Sequence, residues 1–115
     1  YAAAYYYLPL RDFDGFFEAC RTGLAQEASN PGAWNSITRM YIQAGAQLEP
    51  EEMEEYLGSV SQFAALLSDF NNTGRMETIQ LTEENQAFLD AAAAQAGADG
   101  QSAYDALQGY FQEYR

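Results

Sequence analysis

The chain contains no lysine, no histidine and a single cysteine, and its five arginines face 17 aspartates and glutamates for a formal charge of -12. Each shortage excludes a class of chemistry. Without histidine there is no side chain that titrates unperturbed near neutrality, and the commonest zinc ligand is missing. Without lysine there is no Schiff-base amine and no ammonium to grip a phosphate. One cysteine forms neither an intrachain disulfide nor a multi-cysteine metal site. Ser-His-Asp triads, Cys-His dyads and P-loops are therefore excluded by composition. The five arginines, Arg11, Arg21, Arg39, Arg75 and Arg115, are scattered, so no basic patch exists to neutralise nucleic-acid phosphate. No cofactor is expected. The acidity permits a basic protein partner or a cation, and it also serves solubility alone.

What is present is enough for a folded domain. At 115 residues, 48% hydrophobic and 15% aromatic, the chain is far from the profile of a disordered acidic tract. Folding at this size hides roughly two-thirds of the surface of an extended chain. No apolar run approaches the roughly 20 residues of a membrane span, and Ala2 to Leu8 is too short for a signal-peptide core, so no membrane insertion by this segment is expected. The chain begins with Tyr1 rather than Met, which reads as a processed product or a piece of a longer polypeptide. Residues 1–115 read as one domain with no linker long or polar enough to divide them.

Helix punctuation organises the chain into six segments. Pro9 bounds a first one, Ala2 to Leu8. Asp12 or Asp14 caps a second, whose Phe13, Phe16, Phe17, Cys20 and Leu24 share one helical face. Asn30-Pro31 is a cap followed by proline at the first helical position, and the third segment carries Trp34, Ile37 and Tyr41 with Gly45 placed to end it. Glu49-Pro50 repeats that signal before a stripe of Met53, Tyr56, Leu57, Val60, Phe63, Ala64 and Leu67, which stops at Asn71 to Gly74. Met76 to Leu81 reads as a connector. Thr82 caps a fifth segment through Phe88, Leu89 and the alanines 91–94 to Gly97. Ser102 with Asp105 resembles a capping box for a last segment bearing Ala103, Leu107, Tyr110, Phe111 and Tyr114. With few β-branched residues and no sustained alternation, the expectation is an all-α fold of about six helices in three antiparallel hairpins, as a right-handed stack or a compact bundle.

The third segment carries a resemblance. Pro31, Trp34, Ile37 three residues on and Tyr41 four further resemble the first helix of a tetratricopeptide repeat, with Thr38 in place of the small glycine. Ala106 with Tyr110, and Ser59 with Phe63, echo its second helix. The segment starts near 1, 31 and 83 follow no period of about 34 residues. The resemblance implies a helical-hairpin scaffold that binds a protein or peptide, with Pro31, Trp34, Ile37 and Tyr41 as its structural motif. The aromatic, alanine-rich lead-in followed by Asn-Pro-x-Ala-Trp is also similar to soluble tails of bacterial membrane proteins of the O-antigen-ligase type. That similarity implies an extracytoplasmic domain tethered through sequence before residue 1.

Candidate sites are few. Tyr5, Tyr6 and Tyr7 spread over about 300° of a helix, so at most two share a buried face. They read either as a partner-binding anchor or as two core residues and one surface residue. Glu49, Glu51, Glu52, Glu54 and Glu55 lack the spaced ligands and turn glycine of a calcium loop and complement a helix dipole instead. Asp12 and Asp14 read as capping residues, and Cys20 as a small buried hydrophobe. Carboxylate-only hydrolysis needs two acids set across a cleft, and no pair is singled out. The leading expectation is a non-enzymatic interaction module. The alternative is an acidic inhibitor or decoy for a basic partner, which requires carboxylates gathered on one face.

Overall fold

A computed structural model describes residues 2–74 and 77–114 of the chain; Tyr1, Arg75, Met76 and Arg115 lie outside the described residues. It is all-helical, with no strand among the described residues. After a 3-10 segment, Ala2–Tyr7, come α1 (Phe13–Glu27), α2 (Pro31–Gly45), a 3-10 turn at Pro50–Glu52, α3 (Met53–Asn71), α4 (Glu83–Ala94), α5 (Gly100–Ala106), α6 (Gln108–Phe111) and a 3-10 turn at Gln112–Tyr114.

The starts follow the capping chemistry. Asp12 accepts the Gly15 amide at 2.9 Å, Asn30 accepts that of Gly32 at 3.0 Å, and Thr82 accepts that of Asn85 at 3.2 Å. Each bond satisfies a donor that the first helical turn leaves open. Glu52 accepts the Glu49 amide at 3.0 Å, ahead of α3. The last helical region starts differently from its expected Ser102 signal. Asp99 is the cap, taking the Ser102 amide at 2.8 Å and the Ser102 hydroxyl at 3.2 Å. That region also breaks in two at Leu107. Upstream, a Cβ on Gly100 would fall on the Pro50 carbonyl oxygen, and downstream Phe111 is held against Gly45. Two anchors at different places leave the helix to bend between them.

Gly45 ends α2, as its position suggested, but not by adopting a left-handed conformation. The following Ala46 stays right-handed at φ -63. A Cβ on Gly45 would lie 2.5 Å from the Phe111 ring and 2.6 Å from the Tyr56 hydroxyl. The glycine is there so that α6 can come this close.

The apolar stripes meet in one core. α3, the longest helix, packs against α1, α2, α4 and α5, while α2 touches α1, α3, α4 and α6. Fully buried Trp34, Tyr41, Tyr56, Phe16, Phe63 and Phe111 form its centre. Phe16 meets Tyr41 edge-on at 4.7 Å, Tyr41 lies 5.4 Å from Phe63, and Trp34 lies 5.6 Å from Phe63. These edge and tilted arrangements suit the ring quadrupoles. α6 returns to α2, and the helices form a bundle of 40 × 26 × 25 Å.

Polar ties fix the register of the helices. Buried Ser59 on α3 donates to the Phe13 carbonyl at 3.0 Å and shares a hydrogen bond with the Tyr41 hydroxyl at 2.8 Å, so one hydroxyl joins α1, α2 and α3. The Tyr56 hydroxyl donates to the Tyr41 carbonyl. Asn85 of α4 donates to the Asn35 side chain of α2 at 2.9 Å. Asn71 closes both backbone groups of Ile79, which pins the connector to the end of α3 and buries the Ile79 side chain.

Candidate functional site

The sequence-predicted residues separate into a buried set and an exposed one. Trp34, Ile37 and Tyr41 are core residues, and Pro31 lies exposed at the first turn of α2. Trp34 donates its indole N–H to the Ala28 carbonyl at 2.9 Å, joining the α1–α2 turn to the core. None of these three buried side chains is accessible to a partner. Cys20 is buried as well, and burial pushes its thiol up to about 12, which keeps it protonated and unreactive. Burial likewise raises the Tyr41 and Tyr56 hydroxyls, which act as neutral hydrogen-bonding groups.

Tyr5, Tyr6 and Tyr7 behave otherwise. None is a core residue: Tyr5 is 56% exposed, Tyr6 80% and Tyr7 37%. The expectation of two core tyrosines assumed an α-helix. The segment is instead a 3-10 helix, whose three residues per turn point consecutive side chains in three different directions. Ala4 within it and Leu8 just after it are buried. The Tyr7 ring lies over α1, since a Cβ on Gly15 would fall 2.7 Å from it. Leu10, unremarked in the sequence, is 76% exposed. These four are the exposed large hydrophobics among the described residues.

What holds this edge in place is a chain reversal at Arg11. The Asp12 amide donates to the Tyr7 carbonyl at 3.1 Å and the Arg11 amide to the Leu8 carbonyl at 3.0 Å. This is the Schellman pattern, with Arg11 at the left-handed position that glycine usually fills, at φ 57. The side chain accounts for an arginine there. Its Nε donates to Glu52 at 2.9 Å, and its other nitrogens reach the Leu8 and Gln47 carbonyls. Arg11 thus clamps the N-terminal segment to the turns after α2. No periodic signal marks Leu10 or Arg11 in the sequence, because both belong to a turn.

The clamp leaves two shallow grooves that meet. One, of about 320 Å³, runs between Tyr5, Leu8 and Pro9 on one side and Ala44, Gln47 and Leu48 on the other. The second, of about 300 Å³, is bordered by Asp12, Asp14 and Glu55. Arg11 and Phe13 line both.

Elsewhere the acids stay separate. Exposed carboxylates occur on α1, on α3 and the turn before it, on α4, and at α5. Within the Glu49 to Glu55 run, Glu52 closes the Glu49 amide, and that amide, with help from Arg11, holds the Glu52 carboxyl below its ordinary value. Among the described residues, no group of three His, Cys, Asp or Glu side chains converges as a metal site. No buried side-chain nitrogen or oxygen among them lacks a hydrogen-bond partner. No helix among the described residues is long and apolar enough to cross a membrane. Fold and site together define a class: an all-α bundle in which, among the described residues, the buried polar side chains are hydrogen-bonded and the exposed large hydrophobics fall in one N-terminal segment. Compared with models of protein families, with curated proteins and with solved structures, the chain matches none.

Proposed function

We propose that the chain is a non-enzymatic protein- or peptide-interaction module whose contact surface is the N-terminal edge of Tyr5, Tyr6, Tyr7 and Leu10. One observation carries this reading. The exposed large hydrophobics among the described residues fall in a single short segment, beside a groove, instead of being scattered singly. Tyrosine suits the role, because it gives a large contact area at low entropic cost. The resemblance of α2 to a tetratricopeptide first helix supports a scaffolding task. The similarity to O-antigen-ligase-type tails supports a partner within the same polypeptide or its assembly, in an extracytoplasmic setting.

The test is a photo-crosslinking residue placed at Tyr6 and, as a control, at exposed Ala93 on α4. The Tyr6 position is expected to give a discrete protein adduct in the native cells, and Ala93 none. Equal labelling at both positions, or no adduct at Tyr6, overturns the proposal.

A further inference from the structure

The N-terminal edge adjoins carboxylates, and that junction describes what it would bind. The apolar groove under Tyr5 and the acidic groove of Asp12, Asp14 and Glu55 share Arg11 and Phe13 as a common wall. The one cation at the junction is already paired: Arg11 donates to Glu52 at 2.9 Å. An occupant crossing from one groove to the other therefore meets exposed aromatic and aliphatic surface first, then carboxylates with no cation lining their groove other than Arg11.

A second copy of the chain does not suit this surface. A symmetric contact would bring Asp12, Asp14 and Glu55 of both copies into one interface, between two molecules of charge -12 each. Like-charge juxtaposition of this kind is costly at an interface. An anionic membrane is disfavoured for the same reason.

Resting on the reading of this edge as an interaction surface, we infer that its partner is a protein segment combining apolar with cationic side chains. The apolar side chains lie against Tyr5, Leu8 and Pro9. An arginine or lysine of the same segment reaches Asp14 and Glu55, and the tyrosine faces offer cation–π contact along the way. The net charge of the domain steers such a segment in, with an association rate that falls as salt screens the attraction.

The experiment uses a labelled peptide of alternating leucine and arginine, one with glutamine in place of arginine, and one with glycine in place of leucine. Fluorescence anisotropy reads their binding to the intact chain, to Asp14→Asn/Glu55→Gln, and to Tyr5→Ser, which alters the exposed aromatic wall of the apolar groove. Asp12 is left alone because it caps α1. The leucine–arginine peptide is expected to bind, and to weaken on either peptide change. Two exposed charge contacts at about 0.5 kcal/mol each make its affinity for Asp14→Asn/Glu55→Gln about five-fold lower, an effect that shrinks with added salt. Tyr5→Ser weakens every peptide that binds.

If the glutamine peptide binds as well as the arginine one, and the acid-neutral variant changes nothing, the cationic partner is overturned while the interaction surface stands. If no peptide binds, or Tyr5→Ser has no effect, both fall. Cosedimentation with phosphatidylcholine vesicles that depends on Leu10, without peptide binding, replaces the peptide with a lipid surface and also overturns the inference. The peptide-side changes need no altered protein, so a variant that folds poorly does not spare the proposal.

Discussion

Adding one carbon to Gly45 and one to Gly58 is expected to move stability in opposite directions. Both residues are helical, in α2 and α3. An alanine gains up to about 1 kcal/mol over glycine in a helix interior, from a stiffer unfolded chain and better propensity. Gly58 is exposed and has nothing within 4 Å of where its Cβ would sit, so Gly58→Ala collects that gain. At Gly45 the Cβ would stand 2.5 Å from Phe111 Cε1, 2.6 Å from its Cζ and 2.6 Å from the Tyr56 hydroxyl. Carbon neighbours rest about 3.5–4.0 Å apart, so the ring must retreat by about 1 Å. Phe111 and Tyr56 are both fully buried, and Tyr56 also bonds the Tyr41 carbonyl, so neither moves freely. Overpacking of this kind costs roughly 1–3 kcal/mol, and a disturbed buried hydrogen bond adds about 1 kcal/mol. The propensity gain is smaller at the last helical residue. Gly45→Ala should therefore lose about 2 kcal/mol, some 3 kcal/mol below Gly58→Ala. Urea denaturation with an unchanged m-value measures both. A Gly45→Ala chain as stable as the parent, or two variants shifting in the same direction, refutes the packing argument.

Three further outcomes follow from the geometry. Arg11→Ala loses the Glu52 pair and keeps the left-handed backbone, whereas Arg11→Gly loses the pair and relieves it; Arg11→Gly should be the more stable of the two by about 1 kcal/mol in thermal unfolding, and equal stability refutes the assignment. Ser59→Ala removes the hydroxyl that bonds the Phe13 carbonyl and the Tyr41 hydroxyl, at a cost of about 1 kcal/mol by denaturation, while Tyr41 keeps its longer bond to the backbone carbonyl of residue 59 at 3.4 Å; a loss below about 0.5 kcal/mol shows that the three-helix link is dispensable. The Glu49 amide, foremost, and Arg11 lower the Glu52 carboxyl, against an opposing effect of burial. Its contribution is thus present above the ordinary value of 4.5 and lost as pH falls through that value towards the lowered one; Glu52→Gln should show a shallower loss of stability on acidification, and an unchanged acid limb refutes this.

Much of the fold was legible because it rests on local chemistry. Asp12, Asn30 and Thr82 each close an amide two or three residues away, and such bonds depend on neighbours in sequence. The stripes of α1 and α3 were readable for a related reason: a helix repeats every 3.6 residues whatever it packs against, so Phe13 to Leu24 and Met53 to Leu67 had to face one way. The candidate site was harder. The tyrosine run was visible, but its environment was not, because a 3-10 segment and a left-handed Arg11 arise from a turn anchored at Glu52, 41 residues away. The joining of apolar and acidic grooves at Arg11 and Phe13 has no sequence signature at all.

By itself, then, the sequence determined the helical class, most helix starts, the buried faces, and the absence of histidine and lysine chemistry. The tertiary structure alone decided that α6 returns to Gly45, that Asp99 rather than Ser102 caps α5, that the last helix bends at Leu107, and that Tyr5, Tyr6, Tyr7 and Leu10 stand in solvent. The division has one physical cause. Capping and periodicity are set by bonds between residues a turn apart, whereas close approach, bending and exposure are set by which distant surface arrives first to occupy the space.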